Sequence, residues 1–247
     1  MNIVVVIPTY NEAANIGRMI DILVGKEFPQ IKNHKMMLLV LDDKSPDGTG
    51  RIIKEKQSKY KNLFLLEGEK EGLGAAYIRG FRYAIDVLKA DGVMEMDADF
   101  QHDPADVRRF VDEFDNGADY VIGSRLIKGG SIPKDWSFKR KFLTRGGSLF
   151  SRITLLSWEI HDFTTGFRLA RVKGFLDQID FEKIFSRSYA YKIRLLYEMR
   201  ARGGKIKEIP IKFIDREKGW SKMDSEDFFE SLKVIWSIWM VRLGLHE

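Results

Sequence analysis

The apolar runs of this chain are short and unbroken, and that constrains its fold more than any other feature. "IVVVIP" (3–8), "MMLLVLDD" (36–43), "NLFLLEG" (62–68), "GVMEMDAD" (92–99) and "ADYVIGS" (118–124) lack the polar alternation of a strand with one wet face. Such strands are covered on both faces, as parallel strands flanked by helices are. Helical patterns separate them, at about residues 11–25 (Asn11 or Glu12 near the start), 50–60, 72–89 and 104–114, the last with Pro104 in its first turn. The alternation predicts an α/β fold, a mostly parallel central sheet with helices on both faces. "GLGAAYIRG" (72–80) has the glycines of a dinucleotide fingerprint at the wrong spacing and follows an acidic loop, so it is better taken as a helix opening.

After Ser124 the pattern changes. "FKRKFLTRGGSLFSRITLLSW" (138–158) becomes an amphipathic helix in its second part; "TTGFRLA" (164–170), a helix at 188–202 and a strand "KIKEIPIKFI" (205–214) follow. The final segment, 226–247, is helical and rich in Trp, Phe and Ile. Its apolar stretch, 234–245, is shorter than the roughly 20 residues a bilayer span needs. It suits a membrane interface, or packing on the core or on a second subunit. No repeat, low-complexity segment or interdomain linker interrupts the chain.

In open α/β sheets ligands gather outside the carboxyl ends of the strands. Here those ends carry "PTYNE", "DDKSPDG", "DADFQHD" and "GSR", four polar loops directed to one edge. Asp97, Asp99 and Gln101 offer hard oxygen donors, which suit Mg²⁺ or Mn²⁺ better than zinc. Magnesium takes one or two carboxylates and completes its shell with phosphates, so this D-x-D suits a diphosphate clamp. A phospho-receiver module also collects acids at strand ends and competes for Asp42, Asp43 and Asp97.

A second charge feature lies between residues 124 and 152, where eight Lys/Arg face one acid, in a chain whose net charge is only +5. Such a patch suits a phosphate, a membrane surface or a nucleic acid; a nucleic-acid partner is disfavoured because it has no need of the D-x-D. With 44% hydrophobic and 31% charged residues the chain is globular and not disordered. With no cysteine it forms no disulfide or thiolate metal site. The opening "MNIVVVIPTYNE" lacks the basic region and long apolar run of a secretory leader.

Taken in order, "VVVIPTYNE", "VLDDKSPDGT", "MDADFQHDP" and "GSRLIKGG" resemble family 2 glycosyltransferases of the GT-A fold, and "TGFRL" and "DREKGWSKM" resemble the polyprenol-phosphate mannosyltransferase (dolichol-phosphate mannose synthase) branch. The resemblance spans residues 2–225. It implies a GT-A catalytic domain over 1–225 and leaves 226–247 as a C-terminal amphipathic helix with its membrane-interfacial or packing role. It implies that Pro8, Tyr10 and Glu12 hold the nucleoside of the donor, with Leu41, Asp42 and Asp43 around its base. Asp97, Asp99 and Gln101 would hold Mg²⁺ or Mn²⁺ on the donor diphosphate, with Ala98 lining the donor. Arg216 and Lys222 would close over the donor phosphates, on a segment whose Gly and Ser suit a mobile lid. Arg125 and Arg140 would grip the acceptor phosphate, with Thr144 and Lys192 beside them.

The implied reaction transfers mannose from GDP-mannose to a polyprenyl or dolichyl phosphate; a UDP-sugar donor is the alternative within the class. His34, His102, His161 and His246 form no proton-transfer cluster in the sequence. None is needed, because a lipid phosphate with a second pKa near 6 is mostly dianionic at pH 7 and attacks without a general base. Asp99, Arg125 and Arg140 are the residues expected to carry the chemistry. The chain is expected on the cytoplasmic face of a membrane, reached through its peripheral helix or a membrane partner subunit.

Overall fold

In the computed structural model, described over residues 1–184, 190–214 and 225–242, the unbroken apolar runs form five strands of one seven-stranded sheet. The strands are β1 (Asn2–Thr9), β2 (Lys35–Asp42), β3 (Leu63–Glu67), β4 (Gly92–Glu95), β5 (Tyr120–Ser124), β6 (Arg168–Arg171) and β7 (Ile206–Pro210). Their order is β3-β2-β1-β4-β6-β5-β7. All pairings are parallel except the two made by β6, which runs antiparallel to β4 and β5.

Side chains alternate across a strand, and here both sides are dry. Ile3, Val5 and Ile7 of β1 join Met36, Leu38 and Val40 of β2 in one core, covered by α1 (Ala13–Ile22) and α4 (Val107–Asp115). Val4 and Val6 join Met37, Leu39 and Leu41 in the other, covered by α3 (Leu73–Asp86), α6 (Tyr191–Ala201) and part of α7 (Ser225–Arg242). Helices α2 (Thr49–Gln57) and α5 (Phe138–Thr154) complete the set.

Several elements end earlier than the sequence suggests, β7 among them, at Pro210 and not at 214. β4 stops at Glu95, so Asp97 and Asp99 lie on a loop beyond the strand. The first helix gives way at Leu23 to a wide π turn through Glu27. Three loops at the carboxyl edge each contain a non-glycine residue with positive φ: Asn11 (59°) after β1, Lys44 (50°) after β2 and Phe100 (63°) after β4. Asparagine tolerates this conformation; for a residue as bulky as phenylalanine it costs energy that the surrounding packing must supply.

Helix α5 has an inverted polarity. It buries Thr144, Ser148 and Ser151 and exposes Phe138, Phe142, Leu149, Phe150 and Ile153. Beside it α7 buries Val234, Ile235 and Ile238 yet leaves Trp236 69% exposed, and Trp239 donates its indole N–H to the Thr154 carbonyl (2.9 Å). Among the described residues no helix is long and apolar enough to cross a membrane.

Gly80 lets α3 lie flat on the sheet: a Cβ there would sit 2.8 Å from a Leu41 methyl and 2.9 Å from a Val6 methyl. Gly80→Ala should therefore lower stability by about 1–3 kcal/mol, although alanine is the better helix former. Chemical denaturation measures this, and an unchanged or raised midpoint would mean that α3 stands farther from the sheet.

Candidate active site

Hydrogen bonds lace together the loops after β1 and β2. Thr9 donates its hydroxyl to the Leu41 carbonyl (3.0 Å) and to Asp42 (3.1 Å). Asp42 also accepts the amide (3.2 Å) and hydroxyl (2.6 Å) of Ser45, whose Oγ in turn accepts the Asn11 amide (3.0 Å). Asp47 receives the Ala13 amide (2.9 Å) and the amide and hydroxyl of Thr49 (3.0 and 2.6 Å). Burial pushes the Asp47 carboxyl up, but these hydrogen bonds outweigh it and hold the group below the ordinary carboxylate value.

The sequence pairs Asp42 with Asp43, but the fold separates their roles. Asp42 is buried and holds the loops, whereas Asp43, also buried, forms an ion pair with Arg79, and burial raises its carboxyl. Leu41 is core, so only its backbone can meet a ligand. Pro8 and Glu12 are half-buried; Glu12 accepts from Asn15 at the start of α1 (2.9 Å). The Tyr10 ring carries the Lys70 ammonium 3.8 Å from its centroid. Asp47, Thr49, Lys70 and Arg79 were not singled out from the sequence, although "SPDGT" contains two of them.

The loop after β4 is the acidic centre. The Asp97 side chain is 26% exposed, while Ala98, Asp99 and Gln101 are buried. Asp99 accepts the Gln101 amide (3.1 Å), and the Gln101 side chain donates to the Ile214 carbonyl (3.3 Å). His102 is buried behind them and accepts the Asp97 amide at Nδ1 (3.2 Å). Burial lowers its pKa to about 4, so the ring is neutral at physiological pH and carries its proton on Nε2. That nitrogen is buried without a hydrogen-bond partner, a cost of roughly 1–3 kcal/mol.

Oxygen donors fit a hard divalent cation. No group of three His, Asp or Glu residues closes a metal cage among the described residues, as suits an ion that draws further ligands from phosphates and water. Gly166 lies opposite: a Cβ there would be 3.4 Å from Asp97 Oδ2 and 2.6 Å from Lys192 Nζ, so glycine leaves the ammonium its present place. Lys192 is buried, and burial lowers its pKa against the opposing pull of Asp97 and Glu95.

Because β6 is antiparallel, its entrance falls on the same edge as the exits of its neighbours. It supplies Asp162 and Thr164, which the sequence did not reveal. Arg125 grips Asp162 through Nε (2.8 Å) and Nη2 (2.7 Å), and Nη2 also donates to Thr164 (2.7 Å). Burial would raise Asp162, but the Arg125 charge holds it below the ordinary value. Arg140 stands on the first turn of α5 with its guanidinium 3.6 Å from the Trp136 ring centroid, and Thr144 donates back to the Arg140 carbonyl (3.0 Å). Beneath, Tyr191 donates to Glu95, and the wholly buried Arg168 binds the carbonyls of Phe163 (2.6 Å), Thr165 (2.9 Å) and Lys192 (2.8 Å). Arg216 and Lys222 lie outside the described residues.

The model of a family described as glycosyl transferase family 2 matches residues 4–178. A polyprenol monophosphomannose synthase of Mycolicibacterium smegmatis is 36% identical over 234 residues, covering 92% of this chain and 83% of that protein. An undecaprenyl-phosphate mannosyltransferase of Micrococcus luteus is 36% identical, with 90% and 88% covered. A dolichol-phosphate mannosyltransferase of Pyrococcus furiosus is 32% identical, with 96% and 64% covered. Among solved structures, a glucosyl-3-phosphoglycerate synthase from Mycobacterium tuberculosis in complex with Mn²⁺, UDP-glucose and glycerol 3-phosphate shares the fold (TM-score 0.63, 18% identity, 100% of this chain and 81% of that chain).

Asp162→Asn keeps the shape of the Arg125 pair but leaves a buried guanidinium without its counter-charge. The expected loss of stability is roughly 3–5 kcal/mol, against less than about 1 kcal/mol for Glu67→Gln in the exposed pair with Lys54. Equal costs in denaturant titrations would show that Arg125 does not depend on Asp162.

Proposed function

This chain belongs to glycosyl transferase family 2, and from that membership we propose that it transfers mannose from GDP-mannose to a polyprenyl (dolichyl-type) phosphate, giving the β-linked lipid phosphate sugar and GDP. The observation that carries this reading is that one sheet edge brings an acidic loop, Asp97 and Asp99, beside a basic group, Arg125 and Lys192, with the inverted face of α5 next in the chain. The curated relatives are named for mannosyl transfer to lipid phosphates.

A divalent cation, Mg²⁺ or Mn²⁺, held by Asp97, Asp99 and Gln101 would neutralise the leaving diphosphate; a solved neighbour of the same GT-A fold is described with Mn²⁺. Pro8, Tyr10, Glu12, Leu41 and Asp43 bind the nucleoside and Ala98 lines the donor, while Asp42 sets the loop that presents them. Arg216 and Lys222 bind the donor phosphates. Arg125, Arg140, Thr144 and Lys192 form the acceptor side, with Arg125 oriented by Asp162. The dianionic lipid phosphate attacks the anomeric carbon: a phosphate O–C bond forms as the bond to the diphosphate breaks, and the pair of electrons leaves with GDP. Attack opposite the leaving group inverts the α-linked sugar, and no proton moves in the step.

The exposed aromatics of α5, with Trp236 of α7, sit among basic residues such as Lys141, Arg145 and Arg152. That combination suits the headgroup region of an anionic membrane. We assign residues 1–225 to catalysis and 226–247, together with the exposed face of α5, to membrane contact on the cytoplasmic side, where a membrane partner subunit would add to the hold.

Asp97→Ala should abolish transfer and also remove thermal stabilisation by GDP with Mn²⁺, while the unliganded melting temperature stays within a few degrees of the parent. Stabilisation by UDP and not GDP in the parent protein would overturn the donor assignment. For the membrane surface, Phe142→Glu with Leu149→Glu should reduce co-sedimentation with anionic liposomes at least about tenfold, with circular dichroism unchanged. Undiminished binding would move the contact elsewhere.

A further inference from the structure

The acceptor-side arginines and the acidic loop lie on different elements, yet a continuous set of ring contacts joins them through one side chain. Phe213, just past β7, meets the edge of Trp136 (centroids 5.6 Å, 78° between planes) and packs edge-on against His102 (5.2 Å, 64°). The Arg125 guanidinium lies 5.3 Å from the Phe213 centroid, and Trp136 carries Arg140. On the far side, His102 stacks on Phe167 (4.9 Å) and accepts the Asp97 amide. The next residue, Ile214, donates its amide to the Gln101 carbonyl (3.4 Å) and accepts from the Gln101 side chain. Arg125 and Trp136 on one side, and Gln101 and His102 on the other, therefore bear on two consecutive residues, with Arg140 reached through Trp136 and Asp97 through His102.

We propose that Phe213 is a positioning residue that couples the two halves of the site, so that an acceptor phosphate on Arg125 and Arg140 sets the loop that holds the donor diphosphate. The inference rests on the functional assignment above. A packed aromatic contact has discrete arrangements and does not deform smoothly. A shift of Arg125 or of the Arg140–Trp136 pair toward a phosphate therefore moves the Phe213 ring. His102, stacked on Phe167, transmits that movement to the Asp97 backbone. Phe213 touches neither phosphate in this scheme; its effect is a coupling free energy between two binding events, and such coupling is reciprocal.

The test is a thermodynamic cycle on the full chain. Titration calorimetry measures GDP binding in the presence of Mn²⁺, with and without a saturating short-chain prenyl phosphate in mild detergent, for the parent protein and for Phe213→Leu. The prenyl phosphate should tighten GDP binding in the parent by at least about fivefold, the lower end of ordinary couplings. In Phe213→Leu that factor should fall to about one, while each ligand alone binds within about threefold of the parent; Phe213→Tyr should restore the coupling. Coupling that persists in Phe213→Leu, or is missing from the parent, overturns the proposal. A Phe213→Leu protein that fails to fold hands the same test to Trp136→Leu, which breaks the contact at its other end. A parent protein that binds neither ligand and transfers no mannose instead overturns the functional assignment, a result distinct from loss of coupling in an active enzyme.

Discussion

The guanidinium of Arg168 is fully buried and is satisfied by oxygens from separate parts of the chain: Phe163 and Thr165 before its own strand, Lys192 on α6, and the Tyr120 hydroxyl on β5 (3.0 Å). A charge in such a place is tolerable only when its hydrogen-bonding capacity is filled, and removing any partner leaves it exposed to a low dielectric. That requirement fixes the position of the 162–166 segment against the sheet. Asp162 is then where Arg125 finds it, Gly166 is where Lys192 and Asp97 meet, and α6 begins where its lysine reaches the site. Glu95, buried beside it and accepting from Tyr191, offers the opposing charge.

The site is therefore built as two charge groups with different solvation. The acids face solvent through Asp97, while Asp99 and Gln101 are held from inside. The bases are more deeply set: Arg125 is committed to a bidentate pair and Lys192 is enclosed. Fixed, poorly hydrated positive groups interact with phosphate more strongly than mobile surface lysines do, because little solvent must reorganise around them. The inverted polarity of α5 extends this arrangement outward, since its small hydroxyls pack inward, Ser148 accepting the Phe163 amide, and its aromatics face away from the protein.

The sheet was legible because both faces of β1 and β2 are buried, and that leaves an unmistakable run of apolar residues. The acidic loop was legible because Asp97 and Asp99 sit at such a run's end, although the strand stops four residues short of Asp99. What the sequence hides is direction. Asp42 and Asp43 are neighbours in the chain and point to different tasks, one into the loop lacing and one toward Arg79. Asp162 was invisible because its significance depends on β6 running antiparallel, which four residues of strand do not announce. Lys192 was singled out as a basic position at the acceptor, yet its buried place behind Gly166 follows from tertiary packing alone. The contact of Phe213 with His102 likewise joins residues more than a hundred positions apart.

The placement of β6 has a consequence for how the chain is made. Strands β1 to β4 find one another as they are synthesised, since each pairs with a strand already present or soon to come. β5 does not: its two neighbours are β6 and β7, both of which lie later in the chain. During vectorial synthesis β5 therefore waits as an unpaired, fully apolar edge while about fifty further residues are translated, on the order of several seconds at ordinary elongation rates. Such an edge is a template for pairing between chains. The nascent protein is thus most exposed to aggregation after β1 to β4 have paired, and a chaperone or membrane surface that shields this intermediate would raise its yield more than one acting on the first hundred residues.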